Sequence, residues 1–471
     1  VDVLFNKLKK YSTVIIIVVA VAMVVTGLLY GVGSSGGSNR VTVATVNGAD
    51  ITGEQFYYAL YNQLGSNYIS RDQEFPFKYE VLDNIINTEL LFQEADRLKI
   101  KSQITEEDID EYYAMILESN QMTEEELEAE LKNNQSSIKE LRQQIKNALD
   151  NNDRLAQVIE RSYEDVVVEE EDIVREYEEV EFELIRKEKE MENARDIIED
   201  ALKRIENGED FATIAEEVSD FHLVNIGRVN RNAYYLPTEI IENAFTLEIG
   251  EISEIMEADD AYYLVKLVDK KLAVGEEYEE AREGIKNELL ARKQDSAFVN
   301  WFNELKAKSK ISIKDPSLNG YRALVHGEFE LASKELKKAL EQYQAPMLYV
   351  YLAEAYLALD ENDKVIETMN KAVDLYPEDW DLYYYYAMLQ AREDNQEDTK
   401  ILLDKASELA GEDFTARYQL YIAFSQLGDE ERAQRELDKI NEIQQMFMEA
   451  QEALEASAAE TEEVVENNTE E

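Results

Sequence analysis

Hydrophobic positions change their spacing four times along the chain, and each change predicts a different kind of element. From Thr13 to Val32 the run is unbroken: 20 residues carry no formal charge and include the string VIIIVVAVAMVV. At about 1.5 Å per residue a helix of that length covers about 30 Å, the depth of a bilayer's hydrocarbon core. Lys7, Lys9 and Lys10 precede it, and a Gly/Ser tether over residues 33–40 follows. The positive-inside rule therefore predicts a single-pass membrane helix at 13–32, with residues 1–12 cytoplasmic and the bulk of the chain extracytoplasmic. The run is longer than the apolar region of about 7 to 15 residues usual in a cleavable signal peptide. Gly31-Val-Gly33-Ser-Ser-Gly36 matches the dinucleotide pattern G-x-G-x-x-G, but no strand, helix or ribose-binding acid surrounds it, and it reads as part of the tether.

Beyond the tether the pattern becomes periodic. Val41–Val46 is a short β-branched run, and Asn47-Gly48 is a strong two-residue hairpin signal, with Ile51 beginning the return. Thr52 and Gln55 form a capping box for a helix over 55–64. A second helix, about 79–98, repeats Leu82, Ile85, Ile86 and Leu90 at i, i+3, i+4 and i+8, the spacing of a buried stripe. Thr105, Thr123 and Ser137 each open a further helix with an acid three residues on. Over 180–272 the grammar changes to strand (VEFELIR), a helix ending at Asn207-Gly208, a second helix (DFATIAEEVSD) and a closing strand (AYYLVKLVDK), an order that argues for a small α+β domain. Residues 273–311 return to helical spacing, with Ile285, Leu289, Phe298, Trp301, Phe302 and Leu305.

From residue 312 the chain repeats itself. Ala332, Val365, Thr399 and Ala433 recur about every 34 positions, four residues before Leu336, Met369, Leu403 and Leu437, and seven before Ala339, Ala372, Ala406 and Ile440. That period and those offsets are the tetratricopeptide signature, predicting about four stacked helix pairs over 312–445. Residues 446–471 are expected to form an acidic tail, unstructured over 457–471, where there are six Glu and no base. In such a solenoid the first helix of each pair lines a groove, which makes Tyr384, Met388, Tyr418 and Ile422 the candidate peptide-binding residues.

Composition narrows the function classes. The 471 residues include 102 Asp+Glu against 48 Lys+Arg, a formal net charge of −54 and a pI near 4.3, which excludes nucleic acid as a partner. With 45% apolar residues the chain can still bury several cores. There is no Cys and there are two His, so disulfides, thiol nucleophiles and Cys- or His-based metal sites are excluded, and no cofactor or metal is expected.

The string VATVNGADITGEQF, followed by FKYEVLDNIINTELLFQEADRLKI and ITEEDIDEYY, resembles the N-terminal domain of the SurA/PrsA/PpiD chaperones. The resemblance implies a helical cradle over 41–179 that holds unfolded exported polypeptides and is completed by the helix at 273–311. Phe211, Ala212, Ala215, Ser219, Phe245, Leu247, Gly250, Glu251 and Ser253 resemble the fold-building residues of a parvulin peptidyl-prolyl isomerase. Its reactive positions are substituted: two His fall on Glu183 and Tyr263, the Cys or Asp near Phe221, and the Met and Phe around the proline on Leu236 and Ile240, with Phe245 alone retained. The expected fold is therefore mainly α, with one membrane helix, a helical SurA-like domain carrying an inserted α+β parvulin-like domain, and a terminal α-solenoid. The expected role is a membrane-anchored chaperone for unfolded or nascent exported proteins, close to the protein translocation machinery, with no catalytic set of its own. An active isomerase foldase and an envelope scaffold built on the repeats are the alternatives.

Overall fold

The computed structural model describes residues 41–469 apart from 65–68, 134–135 and 394, with backbone only from 452 onward. The membrane helix expected at 13–32 and its tether lie outside the described residues; among the described residues no helix is long and apolar enough to cross a membrane. The chain divides into two units, one built from residues up to 155 together with those from 308 onward, the other from residues 156–307.

The first unit opens with strands β1 (Thr42–Val46) and β2 (Ala49–Thr52), joined by Asn47 and Gly48 at φ 51° and 94°. Both central residues are left-handed, as a tight hairpin turn requires. Strand β1 also pairs antiparallel with β7 (Ile311–Ile313), giving the sheet order β2-β1-β7. Asn47 Oδ1 accepts from the Lys310 amide at 2.7 Å and fixes that junction. The capping box forms as the sequence implies: the Thr52 amide donates to Gln55 Oε1 at 2.8 Å and the Gln55 amide to Thr52 Oγ1 at 3.3 Å, starting α1 (Gly53–Leu64). Helix α2 (Glu74–Arg97) begins five residues before its expected start, after a 3₁₀ turn at Arg71–Gln73, and buries Leu82, Ile85, Ile86 and Leu90. Helices α3 (Glu106–Ser119), α4 (Glu124–Asn133) and α5 (Ile138–Ser162) share a core of Ile109, Tyr113, Leu127 and Ile145.

In the second unit α6 (Glu170–Tyr177) leads into β3 (Glu179–Glu188), α7 (Ala194–Glu206), α8 (Phe211–Val218), β4 (Asn225–Asn230), α9 (Thr238–Thr246), β5 (Met256–Ala258) and β6 (Ala261–Lys271). The strands form one antiparallel sheet in the order β4-β3-β6-β5. Both faces are covered. Phe182 and Leu184 of β3 join Val265 and Leu267 of β6 under α9, while Ile185 and Leu264 face α7 and α8. The long helix α10 (Glu276–Lys308) falls almost wholly in this unit, where Tyr278 and Leu289 pack on Ile173 and Tyr177 of α6. Strand β7 is the element that pairs back onto the arm's sheet.

The rest of the first unit is four helix pairs: α11 (Pro316–Val325) with α12 (Phe329–Gln342), α13 (Pro346–Ala358) with α14 (Asn362–Leu375), α15 (Trp380–Arg392) with α16 (Gln396–Leu409), and α17 (Phe414–Gln426) with α18 (Glu430–Thr469). The repeat positions are the buried ones: Ala332, Val365, Thr399, Ala433, and Ala339, Ala372, Ala406, Ile440. At Gly320 an added Cβ would lie 2.7 Å from the Leu336 side chain, so α11 and α12 approach more closely than any side chain permits. The unstructured tail expected from 457 is instead helix as far as Thr469. Residues 430–469 contain neither Gly nor Pro and are rich in Ala, Glu and Gln, so helix propensity wins over charge repulsion there.

Candidate functional site

A cleft of about 680 Å³ opens on the α9 face of the second unit's sheet, lined by Arg186, Phe221, Tyr234, Tyr235, Leu236 and Tyr263 among others. Strand β6 supplies Tyr263 and β3 supplies Arg186 at the directly opposed position. The Arg186 Nε reaches the Tyr263 hydroxyl at 3.4 Å, and its other nitrogens bind Glu188 at 2.9 Å and Asp260 at 3.1 Å. Burial works against the Arg186 charge, but the bonds to Glu188 and Tyr263 outweigh it and hold the guanidinium protonated. The wall is the segment Tyr234-Tyr235, edge to face at 6.2 Å between ring centres, with Tyr234 96% exposed. Burial pushes the Tyr235 phenol up. Exposing two adjacent aromatic rings beside a cavity leaves apolar area that a bound chain would cover.

The six positions read from the sequence separate into three groups. Phe221, Leu236 and Tyr263 line the cleft. Ile240 is fully buried beneath it, and Phe245 is buried with the Arg231 guanidinium 3.7 Å above its ring, so neither faces the opening. Glu183 is on the wrong side of the sheet. It opposes Lys266, whose Nζ it binds at 2.8 Å on the face of α7 and α8, where Lys266 also lies 5.9 Å from the Phe211 ring centre. Side chains alternate along a strand, so a one-residue slip exchanges the faces. The β3 residues that share a face with Tyr263 include Phe182, Leu184 and Arg186, of which Arg186 lines the cleft. Opposite, Lys187 binds Asp220 at 2.8 Å; burial opposes the Asp220 charge, but Lys187 and the Glu188 amide prevail and keep its carboxyl below the usual range. Arg186 and the tyrosine pair escaped the sequence reading. A Tyr-Tyr-Leu-Pro segment without helical or strand periodicity was the signal for the latter.

In the solenoid, Tyr384 and Met388 pack against the cluster containing Ala416, Leu420 and Phe424, and Tyr384 also meets the Trp380 ring at 6.2 Å. Tyr418 and Ile422, one turn apart on α17, stay exposed. The groove that these four were expected to share is partly filled by the chain itself. Arg71 pairs with Asp379 and lies 3.7 Å from Asp381; Phe75 meets the Tyr351 ring edge-on at 5.6 Å; and the Tyr79 hydroxyl lies 3.2 Å from His326 Nε2. The start of α2 thus rests on the first helices of three successive pairs, α11, α13 and α15. Burial, together with Asp379, pushes the Asp381 carboxyl up to about 6 despite Arg71.

Two domain families match this chain: the SurA-like N-terminal domain over residues 4–155 and the PPIC-type PPIASE domain over residues 173–269. The chain therefore carries a SurA-like N-terminal domain and a PPIC-type parvulin domain, followed by tetratricopeptide-like helix pairs. It is similar to the foldase protein PrsA of Clostridium botulinum strain Langeland, 32% identical over 124 residues, which cover 25% of this chain and 36% of that one. Among solved structures, the foldase PrsA of Streptococcus pneumoniae aligns with 57% of this chain and 93% of its own at 21% identity and a TM-score of 0.26. YrrB, a TPR protein with an unusual peptide-binding site, aligns with 36% of this chain and 89% of its own at 20% identity and a TM-score of 0.22.

Proposed function

We propose that this chain is a membrane-anchored extracytoplasmic chaperone that binds unfolded exported polypeptides as they emerge from the translocation machinery, and that its parvulin-like cleft binds peptide without isomerising it efficiently. The observation that carries this reading is the cleft floor. Rotation about an X-Pro bond faces a barrier on the order of 18 to 20 kcal/mol, and lowering it needs polar groups set against the twisted amide. Here the strand side chains that reach the cleft are Arg186, already engaged by Glu188 and Asp260, and Tyr263, held by Arg186; Phe182 and Leu184 stay in the core and His222 is exposed outside the lining. The cleft itself and its tyrosines persist, which suits retention of a client over turnover. The test is aggregation suppression and X-Pro isomerisation measured on the same purified chain at several salt concentrations. Suppression without acceleration supports the reading; acceleration comparable to active parvulins refutes it. One observation favours a second reading, an active foldase: the Arg186–Tyr263 pair places a held hydroxyl at the cleft, and Tyr263→Phe would abolish any turnover that depends on it. Docking of a partner by the solenoid is confined, on this reading, to its uncovered end at Tyr418 and Ile422.

A further inference from the structure

We propose that the cleft selects cationic client segments, taking an aromatic or proline side chain against Tyr234 and Tyr235 while carboxylates at the rim hold flanking Lys or Arg. This deepens the chaperone reading and rests on it. The charge pattern is local as well as global. The lining contains one cation, Arg186, and its guanidinium is already engaged by Glu188 and Asp260. Glu239, at the start of α9, and Asp259, in the β5–β6 turn, line the same cleft, are exposed, and form no side-chain ion pair among the described residues. Lys189 reaches the turn, but through the Asp259 carbonyl at 2.8 Å and the Glu257 carboxylate at 3.0 Å, leaving the Asp259 carboxylate unneutralised. Two unengaged carboxylates at an aromatic cleft therefore face the solvent from two different elements. Rim charges of this kind steer and discriminate more than they bind.

The experiment uses the full chain at about 0.15 M salt, where long-range attraction to the acidic surface is screened beyond roughly 8 Å. Fluorescent peptides with a central Tyr-Pro, flanked on each side by Lys, Gln or Glu, are titrated by anisotropy. The Lys-flanked peptide is expected to bind about tenfold tighter than the Glu-flanked one. Glu239→Gln with Asp259→Asn should reduce that ratio below about threefold, whereas Glu125→Gln with Glu130→Gln, exposed acids of α4, should leave it unchanged. Tyr235→Ala should weaken all three peptides. Loss of preference in the α4 control equal to that in the cleft variant, or equal binding of all flanks, overturns the charge selectivity while the peptide cleft survives. Binding indifferent to Tyr235→Ala removes the cleft reading itself.

Discussion

Asp381 carries the clearest conflict at the scale of one residue. Its carboxyl is partly buried among Asp379, Asp72 and Asp413, with Arg71 as the opposing cation, and its folded pKa rises to about 6. An unfolded Asp titrates near 3.9, so the folded state binds this proton more tightly. The stabilising effect of protonation is complete at low pH and is lost as pH climbs through about 6. Asp381→Asn should therefore raise stability at pH 7.5 by about 1 to 2 kcal/mol, after discounting for partial solvent screening, with the gain vanishing near pH 4. Thermal melts at both pH values check it, and a lower Tm at pH 7.5 would mean the Arg71 attraction dominates. The solenoid tyrosines divide by burial. Tyr384→Ala should cost about 1 to 3 kcal/mol by opening the cluster beneath it, while the exposed Tyr418→Ala should change the melt by less than about 0.5 kcal/mol. Equal losses would place Tyr418 in the core.

Among elements, the last two helices are joined by a feature that the repeat pattern does not announce. Arg417 of α17 and Glu436 of α18 form a buried ion pair at 2.8 Å, and Arg417 also donates to the carbonyls of Gly411 and Ser407. Removing one partner strands a buried charge, so Arg417→Ala should cost about 3 to 5 kcal/mol, whereas replacing both partners by Met and Leu should cost far less. Denaturant titration of the two variants measures the difference. What the sequence made legible at this scale was local. Capping boxes and the Asn-Gly turn are decided by three or four neighbouring residues, and the 34-residue period is held by small side chains where helices touch. VEFELIR puts Val180, Phe182 and Leu184 on one face and Glu181, Glu183 and Ile185 on the other, but because both faces of the sheet are covered that alternation did not make legible which one the cleft opens on. An irregularity in its pairing with β6 between Glu181 and Phe182 shifts the register further. Nothing in a one-dimensional pattern says which face receives the cleft.

Within the first unit, segments 308 positions apart meet where Arg71 pairs with Asp379 and Phe75 joins the solenoid's own core. No periodicity within either segment signals it, which is why the groove read as open from sequence. Phe75→Ala should lower the melting of the arm and solenoid together, by about 3 to 5 kcal/mol if they unfold as one cooperative body. Two separated transitions in the wild-type chain would show that the seam is weaker than its burial suggests. The pairing of β1 with β7 sets a different constraint, one of time. Asn47 and Ser309, which flank that junction, are 262 positions apart. At synthesis rates of roughly 5 to 20 residues per second, the β1 edge waits about 15 to 50 seconds for its third strand. Throughout that interval a strand edge lies open to any passing chain. On the function proposed above, a chain that shelters unfinished polypeptides is, during its own birth, one of them.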